Sequence, residues 1–99
     1  MAQLNMSIPH ELSQEEALRR IRGNILGAMA LNEYVEPVRV DWRDNAATVE
    51  LKALHARIQL NLVVKDRLIK LSGNLPDGAK FFMWKIESTI REQVDSILV

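Results

Sequence analysis

The chain has 99 residues, of which 47% are hydrophobic and 26% are charged, and this balance is typical of a single globular domain spanning residues 1–99. Thirteen Lys and Arg residues balance thirteen Asp and Glu residues, so no overall field draws the protein towards nucleic acid or an anionic membrane. The absence of cysteine excludes disulfides, thiolate metal sites and cysteine nucleophiles. The sequence shows neither a signal peptide nor an apolar run long enough to span a bilayer, and we therefore expect a cytoplasmic protein without a transmembrane segment.

The first predicted elements are a short strand and a long helix. Apolar and polar side chains alternate over residues 4–8, a pattern typical of a half-buried strand. Ser13 followed by Glu16 forms a capping-box pattern. Apolar residues at spacings of three and four then predict an amphipathic helix over residues 14–31.

Two glycines, Gly23 and Gly27, lie inside this predicted helix on the face opposite its apolar stripe. An interior glycine costs about 1 kcal/mol relative to alanine, so a structural reason for the pair is expected. The favoured interpretation is a bend or a break in the helix. The alternatives are a close contact with another helix or element, and no special role.

The central region predicts a meander of four antiparallel strands. A turn at Asp44-Asn45 places the apolar residues of the first hairpin on one face. The resulting pairs are Trp42 with Ala47, Val40 with Val49, and Val38 with Leu51.

Two further turns complete the predicted meander. The alternation changes phase between Ala53 and Ala56, which predicts a turn at Leu54-His55, although a bulge in one long strand is the alternative. The third turn is predicted at Lys65-Asp66. It pairs Leu62 with Ile69 and Leu60 with Leu71.

A second helix is predicted over residues 79–98. Its buried stripe is expected to comprise Ala79, Phe82, Met83, Ile86, Ile90, Val94 and Ile97. The predicted fold class is α+β, with the order strand, helix, four-stranded antiparallel meander and helix, in two layers with both helices on one face of the sheet. The first strand is expected beside the fifth, which gives the order 2-3-4-5-1, and a parallel position beside the second strand is the alternative.

The sequence carries no recognisable catalytic motif, and we expect neither enzyme activity nor a cofactor nor a metal site. His10 and His55 lack the spacing of metal ligands, and His10 is expected to make local hydrogen bonds at the strand-to-helix junction. Basic residues such as Arg39 and Lys70 are interleaved with acidic residues on the predicted polar face of the sheet. This pattern indicates a solvated face rather than a nucleic-acid surface.

Exposed apolar residues are predicted in two places. Phe81 and Trp84 lie about one turn apart on the last helix, opposite its predicted stripe, and Val63 and Leu68 are predicted to pair on the polar face of the sheet. Clustered exposed apolar side chains suggest a contact surface for a partner, a second copy or a hydrophobic body. The alternative is that Phe81 folds under the first turn of the helix and Trp84 packs on the preceding chain.

The segments IPHELSQEEALRRI, LSGNLP and KIESTIREQVDSIL resemble small bacterial proteins of the polyhydroxyalkanoic acid system family, which are encoded near storage-polyester genes. The likeness covers nearly the whole chain. In that family a His-x-Leu pattern precedes an alanine of the first helix, and an Ile-Glu-x-x-Ile pattern lies on the last helix. The matching residues are His10, Leu12, Ala17, Ile86, Glu87 and Ile90. This chain lacks the glycine expected near Leu54-His55.

The resemblance implies a bacterial cytoplasmic protein of poorly defined function, with a polyester granule surface or granule proteins as partners, and it supplies no catalytic residues. The predicted exposed aromatic residues favour a non-enzymatic accessory or binding protein. Two other functions remain open. Small residues on the apolar face of the sheet would leave room for a hydrophobic ligand between the C-terminal helix and the sheet, as in a reduced helix-grip fold. These residues are Ala47, Ala53, Ala56 and Gly73. The third function is that of a self-associating structural domain, a homo-oligomer.

Overall fold

A computed structural model describes residues 2–30, 33, 35–53 and 55–98. The secondary-structure elements follow one another in the predicted order. They are β1 (Ala2–Pro9), α1 (Gln14–Ala30), β2 (Glu36–Arg43), β3 (Ala46–Ala53), β4 (Ala56–Lys65), β5 (Leu68–Leu75), a 3₁₀ helix (Asp77–Phe82) and α2 (Met83–Leu98).

The five strands form one antiparallel sheet in the order β1-β5-β4-β3-β2. The position of β1 beside β5 confirms the fully antiparallel arrangement. Helix α1 packs across β2 and β4, whereas α2 lies against β1 and α1. The fold is therefore the predicted two-layer α+β arrangement.

The β2–β3 hairpin has its predicted turn, with Asp44 at a φ of 54°, and the apolar pairs nearest the turn are as predicted. The pair predicted for Val38 is wrong. A bulge between Pro37 and Arg39 shifts the register, so that Pro37 lies opposite Leu51 and Val38 is exposed. Both the bulge and the proline are features that discourage a second chain from pairing with an edge strand such as β2.

A turn, rather than a bulge, joins β3 to β4. Ala53 pairs with Ala56, and His55 between them has a φ of 61°. This left-handed conformation is the one that glycine adopts at the lowest steric cost. His55 therefore occupies a position where a glycine would fit. Leu54 lies outside the described residues.

The predicted position of the third turn is wrong by one residue, because the turn lies at Asp66 and Arg67 rather than at Lys65 and Asp66. The observed pairs are Val64 with Ile69, Leu62 with Leu71, and Leu60 with Gly73. The register moves by two residues, so each side chain stays on its predicted face. Contacts from outside the hairpin favour this turn, since the Asp66 carboxylate accepts a hydrogen bond of 2.7 Å from the Gln14 N–H.

Helix α1 begins where the capping pattern predicts. The Oγ of Ser13 accepts a hydrogen bond of 3.2 Å from the Glu16 N–H. Within the described residues the helix runs unbroken through Gly23 and Gly27, so the predicted break is absent. A Cβ at either glycine would meet nothing within 4 Å, so the alternative of a close contact at the glycines is not observed, and a bend in the helix stays a prediction. Leu31, the predicted end of this helix, lies outside the described residues.

The last helix differs from the prediction at its start. It opens with a 3₁₀ helix over Asp77–Phe82, and the α-helix begins only at Met83. The prediction of a buried Phe82 is wrong, since this residue is 56% exposed. The rest of the stripe between Ala79 and the end of α2 is half-buried, namely Met83, Ile86, Ile90, Val94 and Ile97.

The exposure of Phe82 follows from how the two helices overlap. The carbonyl of Leu98 accepts a hydrogen bond of 3.0 Å from Arg20, and that of Ala28 accepts one of 3.3 Å from Gln93. These contacts show that α1 and α2 run antiparallel to each other. Since α1 is described for only two residues beyond Ala28, and Phe82 precedes Gln93 by about 16 Å of helix, the start of the last helix extends past the described end of α1.

The core lies between the sheet and the helices, and every buried residue among those described is hydrophobic. The largest fully buried side chains are Leu4, Ile8, Ile21, Val64 and Ile69. These residues come from β1, α1, β4 and β5, so α1 and the β1–β5–β4 part of the sheet supply the best-packed region. Among the described helices, none combines the length and the apolar character that crossing a membrane requires.

Candidate functional site

The three most exposed aromatic side chains of the described chain lie close together in the sequence, at the start of the last helix. Phe81 is 70% exposed, Phe82 is 56% exposed and Trp84 is 71% exposed. We refer to residues Lys80–Lys85, with the sequence KFFMWK, as the aromatic segment. Single exposed apolar residues are ordinary, but three neighbouring aromatic residues form a patch of the kind found at interaction sites.

The local sequence directs this segment away from the core. Pro76 follows the end of β5, and its carbonyl accepts a hydrogen bond of 2.9 Å from the Ala79 N–H, which opens the 3₁₀ helix. Ala79 is fully buried and anchors the turn. The aromatic residues that follow lie outside the core, because the start of the last helix extends past the described end of α1.

Two lysines flank the aromatic residues. The Nζ of Lys80 lies 5.2 Å from the centroid of the Phe81 ring, within the range of a cation–π contact, and Lys85 is exposed on the first turn of α2. Glu87 is the only carboxylate in the sequence between Asp77 and Glu92. The aromatic segment therefore carries a local positive charge in a chain whose net charge is zero.

The other predicted apolar pair does not join this surface. Val63 lies opposite Lys70, and Leu68 lies opposite Lys65, so the prediction that they face each other is wrong because of the shifted β4–β5 register. Both residues are half-buried on the polar face of the sheet. Leu68 also lies at the start of β5, whereas the aromatic segment follows its end.

Gly23 and Gly27 also lie apart from the aromatic segment. Both are exposed on α1 and face open space. Within the described part of the chain, neither glycine contacts the exposed aromatic residues. They therefore do not add to the candidate site.

His10 takes part in the junction between β1 and α1, as predicted. The Leu12 N–H donates to its Nδ1 at 3.0 Å, so the proton of the neutral ring lies on Nε2, which donates to the Lys65 carbonyl at 3.0 Å. The backbone adds two more bonds between the same segments, since the His10 N–H donates to the Arg67 carbonyl and the Arg67 N–H donates to the Leu12 carbonyl. The ring of His10 thus holds the β1–α1 connection against the β4–β5 turn.

The strongest pKa shift belongs to a surface ion pair on α1. Hydrogen bonds from Arg19 and Arg20 lower the pKa of the Glu16 carboxyl to about 2. On β2, the hydrogen bonds that Arg39 donates to Asp41 raise the pKa of that guanidinium above its ordinary value. Both pairs are open to water, and their geometry is that of surface ion pairs rather than of an acid–base dyad in a cleft.

Two of the concave surfaces on the described chain are broad and open to solvent. One, of about 730 Å³, lies at the β3–β4 turn and is lined by His55, Lys52 and Arg57 among others. The other, of about 740 Å³, involves β2, β3 and β4, with Arg39, Thr48 and Asn61 in its lining. Neither is lined by any residue of α2.

Sequence reasoning identified Phe81 and Trp84 but missed Phe82 and the two lysines. The apolar spacing assigned Phe82 to the buried stripe, and that assignment assumed that the whole helix is covered. A more local signal was present in the sequence, because KFFMWK places two lysines around four apolar residues. Among the described residues, no group of three His, Asp or Glu side chains is arranged to hold a metal ion.

The segments that resemble the polyhydroxyalkanoic acid system family fall on β1 and α1, on β5, and on α2. His10 has a structural contact here, and Ile86, Glu87 and Ile90 lie on the half-buried side of α2. Comparison of the chain with family models, with curated proteins and with solved structures found no match.

Proposed function

We propose that this protein is a non-enzymatic binding domain that attaches to a hydrophobic surface through its aromatic segment. The observation that carries the proposal is the exposure of Phe81, Phe82 and Trp84, each of which leaves more than half of its surface in water. The sheet, the turns and α1 then serve as the support that presents these side chains.

The energetics support such a role. Full burial of a large apolar side chain contributes about 1.5–3 kcal/mol, so covering the exposed parts of three aromatic residues would supply roughly 3–6 kcal/mol towards attachment. The accessible surface of the chain is 6480 Å², compared with about 5,700 Å² expected for a monomeric protein of 11.3 kDa. The fold thus leaves more surface exposed than a typical domain of its size, and the aromatic segment is part of that surface.

The sequence resemblance narrows the proposal to one cellular surface. A protein of the polyhydroxyalkanoic acid system family would meet hydrophobic polyester granules, or the proteins on them, in the bacterial cytoplasm. Attachment through exposed aromatic residues suits such a surface, since it needs no shaped pocket and no defined ligand. We therefore propose the polyester granule as the target and the cytoplasm as the location.

The alternative of a hydrophobic-ligand carrier receives no support from the geometry. Neither concave surface is lined by α2, so neither is the pocket between helix and sheet that this function requires. The space at Gly73 is also filled, because a Cβ there would lie 2.6 Å from the Leu60 side chain. A granule-binding or surface-binding role needs no such pocket.

Sedimentation with polyester particles tests the proposal. We expect the purified protein to sediment with polyhydroxybutyrate particles but to stay in solution with cellulose particles of the same area. The double variant Phe81→Ser/Trp84→Ser should stay in solution with both. The matched control is Leu26→Ser, which removes an exposed apolar side chain of α1 that is 51% exposed.

Two outcomes would contradict the proposal. One is that the parent protein stays in solution with the polyester. The other is that Leu26→Ser reduces sedimentation as much as the double variant, since the loss would then follow from surface hydrophobicity in general. Circular dichroism of each variant checks that the fold is retained.

A further inference from the structure

The aromatic segment combines exposed rings with exposed ammonium groups, and this combination specifies more than a hydrophobic target. We propose that the surface it recognises carries anionic phospholipid headgroups. This inference rests on the proposed function, because it names the chemistry of the surface that the same segment meets. It adds a role for Lys80 and Lys85, which attachment to a neutral polymer does not use.

The charge of the aromatic segment favours an anionic surface. Lys80 and Lys85 are both exposed, and among the described residues neither forms an ion pair with a carboxylate. The nearest carboxylates in the sequence are Asp77, which is exposed at the start of the 3₁₀ helix, and Glu87, which is half-buried on α2. Lys80 and Lys85 lie between them, beside the exposed rings. Since the whole chain has no net charge, the positive charge here is a local property of this segment. A negatively charged surface complements it.

The arrangement of the side chains in the aromatic segment suits the boundary region of a bilayer. Tryptophan and phenylalanine rings favour the boundary between headgroups and acyl chains, where an apolar body meets water. Lysine extends an apolar stem along such a boundary and keeps its ammonium group among the phosphates. Lys80 already lies over the Phe81 ring at 5.2 Å, so its charge and that ring would reach the same layer of the bilayer together.

The same charge disfavours a second copy of the chain as the partner. A two-fold dimer through this surface would apply the same patch to itself. It would bring Lys80 and Lys85 of one copy close to the same two residues of the other, without acidic residues of the segment to neutralise them. Repulsion between like charges at the contact would oppose this dimer.

Flotation with lipid vesicles tests the inference. The vesicles contain phosphatidylcholine alone or phosphatidylcholine with one-third phosphatidylglycerol, and polyhydroxybutyrate particles serve as the neutral hydrophobic surface. We expect much tighter binding to the phosphatidylglycerol vesicles, and weaker binding as salt is raised. The variant Lys80→Gln/Lys85→Gln should lose roughly fivefold in affinity per lysine, or about 25-fold in total.

The matched control removes two exposed lysines from the polar face of the sheet, as Lys52→Gln/Lys70→Gln. This variant has the same net charge as the test variant, and we expect its affinity to fall by less than twofold. Glycerol phosphate added in solution should not displace the protein, because a free headgroup offers nothing to the aromatic rings. Displacement by glycerol phosphate would overturn the inference in favour of a simple phosphate site.

The remaining outcomes separate this inference from the proposed function. Equal binding to both kinds of vesicle and to the polyester, without an effect of the lysines, would overturn the inference and leave the proposed function standing. Failure to bind any of these surfaces would overturn both. A dimer measured by light scattering that Trp84→Ser abolishes, together with absence of vesicle binding, would assign the segment to self-association and overturn both as well.

Discussion

The two ends of the sheet differ in the side chains that they carry and in how those side chains are bonded. At one end, which we call the anchored end, polar groups of the β1–α1 connection and of two turns bond to one another. The carbonyl of Val64 accepts hydrogen bonds from the side chains of Gln14, at 3.0 Å, and Asn45, at 2.9 Å. The ring of His10 bonds to the Lys65 carbonyl of the same strand.

At the other end, the aromatic segment leaves three large rings in water. The polar groups of this segment bond within the helix or to solvent, whereas its aromatic rings are not covered by other parts of the described chain. This is the reverse of the anchored end, where the backbone is tied down by side chains and few large apolar groups are exposed. The hydrogen bonds that tie down the fold and the exposed rings that we propose for attachment thus lie at separate ends of the sheet.

The largest effect on stability is expected within the sheet that joins the two ends. In Gly73→Ala, the new Cβ would lie 2.7 Å from the Gln59 carbonyl oxygen and 2.6 Å from the Leu60 side chain. Because one of these atoms belongs to the backbone, the strands must shift, and we expect a loss of about 1–3 kcal/mol in the free energy of unfolding. Urea denaturation measures it. An unchanged midpoint would show that β4 and β5 are less closely paired than described.

A smaller loss is expected from breaking the anchored end. His10→Ala removes the acceptor of the Leu12 N–H and the donor to the Lys65 carbonyl, and we expect unfolding to cost about 1–2 kcal/mol less. Glu11→Ala is the control, since Glu11 is exposed, and should change stability by less than about 0.5 kcal/mol. Vesicle and polyester binding should be unchanged in both. Equal stability of the two variants would remove His10 from the account of the anchored end.

The β3–β4 turn offers a gain in stability. His55 has a φ of 61°, which costs a residue with a Cβ more than it costs glycine. We expect His55→Gly to stabilise the protein by about 0.5–1 kcal/mol through its backbone conformation. The greater conformational entropy that glycine gives the unfolded chain reduces this gain. The midpoint of thermal unfolding measures it. A lower midpoint would mean that the side chain of His55 contributes more than its backbone conformation costs.

The smallest effect concerns pH. The pKa of Glu16 is about 2 in the folded protein, below the ordinary value of 4.5, so its contribution to stability is present above pH 4.5 and is lost as the pH falls towards 2. Glu16→Gln should therefore show a shallower loss of stability over this range than the parent. Arg19→Gln/Arg20→Gln should flatten it as well, because these arginines hold the pKa down. Identical slopes in all three proteins would show that the exposed pair contributes nothing measurable.

The strand order and two of the three hairpin turns were predictable, because alternation with a period of two assigns each residue to a face. The β4–β5 turn was not, since turns at Lys65-Asp66 and at Asp66-Arg67 place every side chain on the same face. The choice between them involves a contact across the fold, in which Asp66 accepts a hydrogen bond from the Gln14 N–H of α1. The local sequence of the hairpin does not contain that information.

The candidate site was predictable only in part, for a similar reason. Phe81 and Trp84 lie opposite the apolar stripe, and the periodicity of the helix indicated their exposure. Phe82 lies on the stripe, and its exposure depends on how far α1 overlaps α2, which is a property of helix packing. Likewise, the absence of close contacts at Gly23 and Gly27 could be learned only from the placement of neighbouring elements.

The most direct test of attachment through the aromatic segment is the fluorescence of Trp84. The chain has two tryptophans, so Trp42→Phe leaves Trp84 as the only one. When this variant binds polyester particles or phosphatidylglycerol vesicles, we expect its emission to shift to shorter wavelength and its quenching by acrylamide to fall, because a side chain now 71% exposed becomes covered. Bound protein whose Trp84 emission and quenching remain those of the free protein would contradict the account, since attachment would then occur through another face.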